Sequence, residues 1–402
     1  MNSEFVDRLV MEQDTKIIFL LMDGLGGLPK PETGETELEA AHTPNLDALA
    51  RGSLCGLLDP IGYGITPGSG PAHFALFGYD PEKNNVGRGL LAAAGIDFPM
   101  GEDDLFARVN FATINDHGMV TDRRAGRIDS DTNRRLCEKL HREINLSRNV
   151  DVFFETVKEH RALLTLRGKG LSDAIADTDP EATGKPPLPP QQLAGEAQET
   201  VRIIAELLDQ AGRVLADEQQ ANTILLRGFA RYRKYPSLRD RFKIDPLAIA
   251  NYPMYRGIAR LLGMEVHPLT DSTAAEFDAL RDCFDSHTFF FLHVKPTDSR
   301  GEDGDFEAKV RVIEEVDSLL PRLTSLKPDV LVVTGDHSTP AIMASHSWHP
   351  VPVILASATA RPDRVETFGE RACIAGGMGR LPMKYLMGLA LAHAGRLTKF
   401  GA

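Results

Sequence analysis

The chain is 402 residues long, 42% hydrophobic and 25% charged, a length that predicts two domains, or one domain carrying a large insertion. Its formal net charge of −12 argues against a nucleic-acid or anionic-membrane partner, so an anionic substrate would need a locally positive pocket. No apolar run approaches the roughly 20 residues that cross a bilayer. The opening MNSEFVDRLVMEQD has acids where a signal peptide needs a basic start, and the four cysteines lie far apart with no CxxC pair. They read as reduced thiols of a cytoplasmic protein.

In chain order, Lys16–Met22 (KIIFLLM) is a short apolar run without alternation, the pattern of a buried parallel strand. Thr43-Pro44 followed by NLDALARG predicts a helix with a capping threonine, proline in its first turn and Gly52 as its stop. The middle of the chain differs: a turn-rich NDHGMVTDRRAGR, a strand pair around Phe106–Thr113 and His160–Leu166, the proline cluster TGKPPLPPQQ, then a helix from Gly195 to Gly212. Thr288–Val294 (TFFFLHV) and Asp329–Thr334 (DVLVVT) are again buried parallel strands. Ala308–Leu320 between them is an amphipathic helix ended by Pro321. Val351–Ala356 (VPVILA) is a fourth strand, whose Pro352 favours an edge or a strand start. The alternation predicts an α/β domain, a mainly parallel sheet flanked by helices, built from 1–80 and 250–402. Residues 81–249 read as an inserted α+β domain.

Each of the three apolar strands runs into an acid at or just past its carboxyl end: Asp23, Asp298 and Asp336. Ligands of open parallel sheets bind outside that end, and three carboxylates crowded there would repel one another unless divalent cations intervened. Asp336-His337 can ligate from one tight turn, and His346 follows just before the VPVILA strand. Ser69, in PGSGPAH at the start of a helix, is the candidate nucleophile; a helix-capping serine is an equally good reading of that segment alone. Gly24-Leu25-Gly26-Gly27 lacks the spacing of a dinucleotide fingerprint, and no P-loop is present.

The ordered set MDGLGGLP, AHTPNLDALARG, PGSGPAHFALFGYDP, VKPTDSRGEDGDFEAKV and TGDHSTPAIMASHSWHPVPVIL resembles the archaeal-type cofactor-independent phosphoglycerate mutases of the alkaline phosphatase superfamily, over nearly the whole chain. The resemblance implies an alkaline-phosphatase-like metal domain with an inserted substrate-binding domain. It also implies interconversion of 3-phosphoglycerate and 2-phosphoglycerate through a phosphoserine at Ser69, without 2,3-bisphosphoglycerate. By the family pattern Asp23, Ser69, Asp336 and His337 match the ligands of one metal, and Asp298, residue 302 and His346 those of the other. Many superfamily members carry histidine where this chain has Glu302. Glutamate is a competent oxygen ligand and shifts preference towards Mn²⁺ or Mg²⁺, with Zn²⁺ the softer alternative.

Arg123, Arg124, Arg127, Arg167 and Arg227 in the insert, with Lys295 beside Asp298, are the candidates for binding the anionic phosphoglycerate. For the general base, Asp177 and Asp179 are the candidates. The nearest rival is a metal-dependent phosphatase or phosphodiesterase using the same nucleophile. A thiamine-dependent decarboxylase lacks its diphosphate-binding segment, and a non-catalytic sensor would have eroded ligands.

Overall fold

The computed structural model describes residues 3–84 and 86–401. The chain divides into two compact units, Met1–Asn85 with Tyr235–Ala402, and Val86–Lys234. The opening segment carries strands β1 (Ile17–Met22) and β2 (Leu54–Asp59). The insert carries β3 (Asp104–Ile114), β4 (Val120–Asp122), β5 (Asp151–Lys158), β6 (Arg161–Arg167) and β7 (Thr223–Arg231). The closing segment adds β8 (Pro246–Ile249), β9 (Glu265–Val266), β10 (Phe289–Val294), β11 (Val330–Thr334), β12 (Val351–Ser357) and β13 (Gly379–Pro382). Residues 235–249, expected within the insert, belong to the first unit: β8 pairs in parallel with β10.

The first unit is built on one sheet of order β13-β2-β12-β11-β1-β10-β8-β9. β1 runs parallel to β10 on one side and to β11 on the other. All six residues of β1, all six of β10 and all five of β11 are buried, which explains why these strands are apolar on both faces. On one face, Ile18, Leu20 and Met22 share a core with Leu46, Phe277, Ile313, Val316 and Leu320 from covering helices. On the other, Phe19 meets Phe289, and Phe291 meets Phe77, edge-on, with ring centroids 5.1 and 4.9 Å apart. Each such pair contributes about 1 kcal/mol beyond the burial of its rings.

Three local expectations are corrected. β12 is neither an edge nor a parallel strand; it lies between β11 and β2, antiparallel to both, with Pro352 opposite Leu57. Pro321 does not end its helix, which runs Phe306–Thr324. A proline there leaves the Asp317 carbonyl without its helical donor, and Asn45 Nδ2 donates to that oxygen instead at 3.1 Å. Thr43 stands at the start of the Pro44–Arg51 helix but makes no side-chain cap bond. The Asp317 carboxylate takes that role, accepting from the Leu46 amide at 2.7 Å.

The second unit is antiparallel: β3 pairs with β6, β7 and β4, and β6 with β5. The expected strand pair is therefore present, and the expected helix is a 3-10 turn at Gly195–Ala197 leading into an α-helix at Gln198–Val214. That helix and Ser130–Glu143 cover one face through Leu136, Leu140, Ile204 and Leu207. Against β3 packs the Arg88–Gly95 helix, and a Cβ on Gly89 would lie 2.5 Å from the Phe106 backbone.

Glu276, 4% exposed, accepts from Asn251 Nδ2 at 2.8 Å. Burial, reinforced by Glu315, pushes its pKa up to about 8 from 4.5. The folded state therefore holds a proton that the unfolded chain releases. Stability from this group is full below pH 4.5 and is lost as pH rises through 8. Glu276→Gln keeps the acceptor and removes the charge. It is expected to raise stability at pH 9 by up to about 1.4 kcal/mol per unit of pKa displacement and to change little below pH 4.5, as read by denaturant midpoints.

Candidate active site

The register of β11, β1 and β10 decides where the acids fall. Met22 lies opposite Val294 and Leu21 opposite Thr334, so the residues that follow leave the sheet at one edge. Asp23 follows β1 directly. Asp336 and His337 follow β11, and Asp298 sits in the first turn of the Pro296–Glu302 helix after β10. The Gly-rich run after Asp23 is shaped for close packing rather than for a nucleotide. Gly24 has φ +62°, and a Cβ on Gly26 would lie 1.9 Å from Ser338 Oγ.

Asp23, Asp298, Asp336 and His337 are almost fully buried, while Ser69, Lys295 and His346 are only half-buried. Ser69 is the first residue of the Ser69–Leu76 helix. Gly68 holds the capping position and no side chain caps the end, so the capping-serine reading fails. The Ser69 hydroxyl lies 3.3 Å from His337 Nε2.

Hydrogen bonding assigns one oxygen of two carboxylates to protein donors and leaves the other bare. Tyr255 donates its hydroxyl to Asp23 Oδ2, and the Gly24 amide donates to Asp336 Oδ1 at 3.1 Å. Asp23 Oδ1 and Asp336 Oδ2 are buried with no hydrogen-bond partner. Both face His337 Nε2, at 3.5 and 3.2 Å. The tautomer of that ring follows from Thr339, whose hydroxyl donates its one proton to Asp298 Oδ1 (2.6 Å) and lies 3.0 Å from His337 Nδ1. Thr339 must accept from Nδ1–H, so Nε2 presents a lone pair. Burial lowers the His337 pKa, against the pull of Asp336, and keeps the ring neutral. Two carboxylate oxygens and a nitrogen lone pair thus converge with no proton among them. A cation satisfies such a set.

A second set differs in that both Asp298 oxygens already accept, Oδ1 from Thr339 and Oδ2 from Lys295. His346 Nδ1 lies 3.0 Å from the Pro67 carbonyl, to which it must donate. In the neutral ring Nε2 then faces Asp298 Oδ1 at 3.6 Å and Glu302 Oε1 at 3.9 Å. Asp23, Asp336 and His337 form one group able to hold a metal ion, and Asp298, His337 and His346 another. Glu302 is outside both; its side chain is 56% exposed. Lys295 is 3.0 Å from Asp23 Oδ2 and donates to Asp298 Oδ2. Burial opposes its charge, but the two acids hold its pKa above the ordinary lysine value. It is a fixed ammonium. Burial likewise opposes ionisation of Asp23, and Lys295, the neighbouring histidines and Tyr255 overcome it, keeping this carboxyl well below the usual range.

Sequence reasoning missed three residues beneath this layer. Tyr255 stacks on His293 at 3.8 Å, and His73 lies 4.7 Å from Tyr255. His73 Nδ1 is 2.8 Å from the Ser69 carbonyl and 3.3 Å from Asp336 Oδ2. His293 Nε2 is 3.5 Å from Asp23 Oδ2. A histidine inside the apolar run TFFFLHV was the available signal.

The arginine candidates all lie in the second unit. Arg123 grips Asp179 with two bonds of 2.8 Å, and Arg227 Nη1 is 3.4 Å from the same carboxylate. Arg124 and Arg127 are exposed on the adjoining turn. Arg167 stands apart from them, paired with Asp104 at 2.6 Å. Of the proposed bases, Asp179 is a weak one. Burial raises its pKa, but Arg123 and the Glu181 amide more than offset this and hold it ionised, with its lone pairs committed. Asp177 Oδ1 accepts from the Gly228 amide at 2.7 Å.

A relative from Thermus thermophilus, named a probable 2,3-bisphosphoglycerate-independent phosphoglycerate mutase, is 47% identical over 397 residues, 98% of each chain. The chain belongs to this family. The family's own model, described as 2,3-bisphosphoglycerate-independent phosphoglycerate mutase, matches residues 50–221. A relative of the same name from a Thermotoga species is 46% identical, over 100% of this chain and 99% of its own. Among solved structures, a Pyrococcus horikoshii protein superposes with TM-score 0.82 at 27% identity, covering 96% of this chain and 99% of that one. The cofactor-independent phosphoglycerate mutase of Thermoplasma acidophilum gives 0.70 at 28% identity, over 94% and 100%. These solved structures agree with a mainly parallel α/β sheet flanked by helices.

Proposed function

We propose that this mutase interconverts 3-phosphoglycerate and 2-phosphoglycerate by carrying the phosphoryl group on Ser69. The observation that supports it most is the set of lone pairs at Asp23 Oδ1, Asp336 Oδ2 and His337 Nε2, with the Ser69 hydroxyl 3.3 Å from that nitrogen. Asp23, Ser69, Asp336 and His337 would hold one divalent cation. His337 has one free nitrogen and serves one cation only. Asp298 and His346 would hold the second, with Glu302, one helical turn after Asp298, as the third donor. A donor set this rich in oxygen suits Mn²⁺. Bound there, the cations lower the pKa of the serine hydroxyl and neutralise the phosphoryl oxygens.

In the first step the Ser69 oxygen bonds to phosphorus and the bond from phosphorus to the glycerate C3 oxygen breaks. The Ser69 hydroxyl gives up its proton and the C3 oxygen takes one up, so the step is proton-neutral. In the second step the C2 oxygen of glycerate, losing a proton, takes the phosphoryl group back from serine. Lys295, fixed as an ammonium between Asp23 and Asp298, helps to keep Asp23 ionised. The helix that begins at Ser69 turns its free amides towards incoming phosphate. We assign the insert's arginines to the carboxylate and phosphate of the substrate. Arg123 and Arg227, both held by Asp179, would act as a pair. The four free thiols fit a cytoplasmic enzyme, and no helix among the described residues is long and apolar enough to cross a membrane.

The test mixes purified protein, Mn²⁺ and 3-phosphoglycerate without 2,3-bisphosphoglycerate, and follows 2-phosphoglycerate and free phosphate together. The expected product is 2-phosphoglycerate. Phosphate release alone would replace the mutase with a phosphatase.

A further inference from the structure

Beneath the acids, the Phe306–Thr324 helix sends a lysine into the loops that carry them. Lys309 is fully buried, and its ammonium donates to the carbonyls of Gly24 (2.9 Å), Gly26 (3.1 Å) and Thr339 (2.8 Å). An ammonium has three protons, and all three are used. The Thr339 amide donates to the same two glycine carbonyls, at 3.2 and 3.0 Å, so two loops are tied at one knot. One loop begins at Asp23. The other carries Asp336 and His337 and ends on Thr339, whose hydroxyl holds both Asp298 and the His337 tautomer. Glu37 answers the charge at 3.7 Å, and its Oε1 accepts from the Ala341 amide at 2.6 Å.

Packing does not call for this residue. Lys309 lies on the helix stripe that continues through Ile313, Val316 and Leu320, all buried, where an apolar side chain would serve the core without desolvating a charge.

We infer that Lys309 is a positioning residue that sets the affinity of the site for its cations, an inference that rests on the metal reading above. By pinning the two loops it fixes the separation of Asp23 Oδ1, Asp336 Oδ2 and His337 Nε2, and hence the size of the space a cation must fill. The ammonium's partners are the three carbonyls and Glu37, none of them a ligand atom.

The experiment titrates Mn²⁺ by calorimetry into wild-type protein, Lys309→Met, the double variant Lys309→Met/Glu37→Gln, and Arg396→Met. Arg396 is a fully buried cation of the same unit, bonded to Thr15 and to the Lys243 carbonyl. All three variants are expected to lose thermal stability. Only those lacking Lys309 should raise the Mn²⁺ Kd, by about tenfold or more. The double variant leaves no unpaired buried acid and is the one read if the single variant does not fold. If it too fails, Gly26→Ala is read, because its Cβ would lie 1.9 Å from Ser338 Oγ and would spread the loops with Lys309 in place. An unchanged Kd in the variant read overturns the inference, as does an equal rise in Arg396→Met. Absence of Mn²⁺ binding by the wild-type protein overturns the metal reading beneath it instead.

Discussion

Ser69→Ala is expected to lower kcat by about 10⁴-fold or more, with the circular dichroism spectrum unchanged. The neighbouring Thr339 hydroxyl is committed to Asp298 and His337. Lys295 is held as an ammonium by Asp23 and Asp298, and the acids are occupied with one another's charge. The hydroxyl makes no capping bond, so its removal leaves the Ser69–Leu76 helix intact. Metal content should fall little, because Asp23, Asp336 and His337 remain. A variant that keeps turnover while folded would remove Ser69 from the mechanism.

The second large effect follows from taking the cations away. Asp23, Asp298 and Asp336 are almost fully buried, and among the described residues Lys295 is the one ammonium paired with any of them. A chelator is therefore expected to reduce turnover by about 10³-fold or more, since metal-free protein lacks both serine activation and charge neutralisation. Stability should fall with it. A ligand at one hundred times its Kd stabilises the folded state by about 2.7 kcal/mol per site, and the denaturant midpoint should rise when Mn²⁺ is restored. Asp336→Asn should respond weakly to Mn²⁺, having lost the charge at the bare Oδ2. A midpoint indifferent to chelator and to Mn²⁺ would contradict the cation assignment.

The strands that build this edge were legible because a parallel strand covered on both faces has to be apolar throughout, as KIIFLLM, TFFFLHV and DVLVVT are. Other strands hide for definable reasons. β2 contains Gly56 and ends on an acid, β8 begins with Pro246, and β9 has two residues. The direction of β12 was not readable, since an apolar run has the same composition whichever way it runs. Its proline marked a strand start but not an edge, as Pro352 is the second residue of an interior strand.

Asp23, Asp298, Asp336 and His337 were readable because each follows a strand closely in the chain itself, and His346 because it comes just before one. Tyr255, His73 and Lys309 were not, since each comes from a helix whose placement against the sheet decides its neighbours. Lys309 nevertheless left a trace: a cation on an otherwise apolar stripe with Ile313, Val316 and Leu320. Glu302 shows the opposite limit. Its spacing from Asp298 matches a ligand pattern, yet its side chain is 56% exposed and its Oε1 stands 3.9 Å from His346 Nε2.

The central claim is that the phosphoryl group passes through Ser69. The direct measurement mixes Mn²⁺-loaded protein with 3-phosphoglycerate, quenches within one turnover in acid, and maps phosphate by mass spectrometry of the digested chain. Phosphate on Ser69, absent when the reaction is run with Ser69→Ala, is the predicted result. Formation of 2-phosphoglycerate at full rate with phosphate on another residue would contradict it.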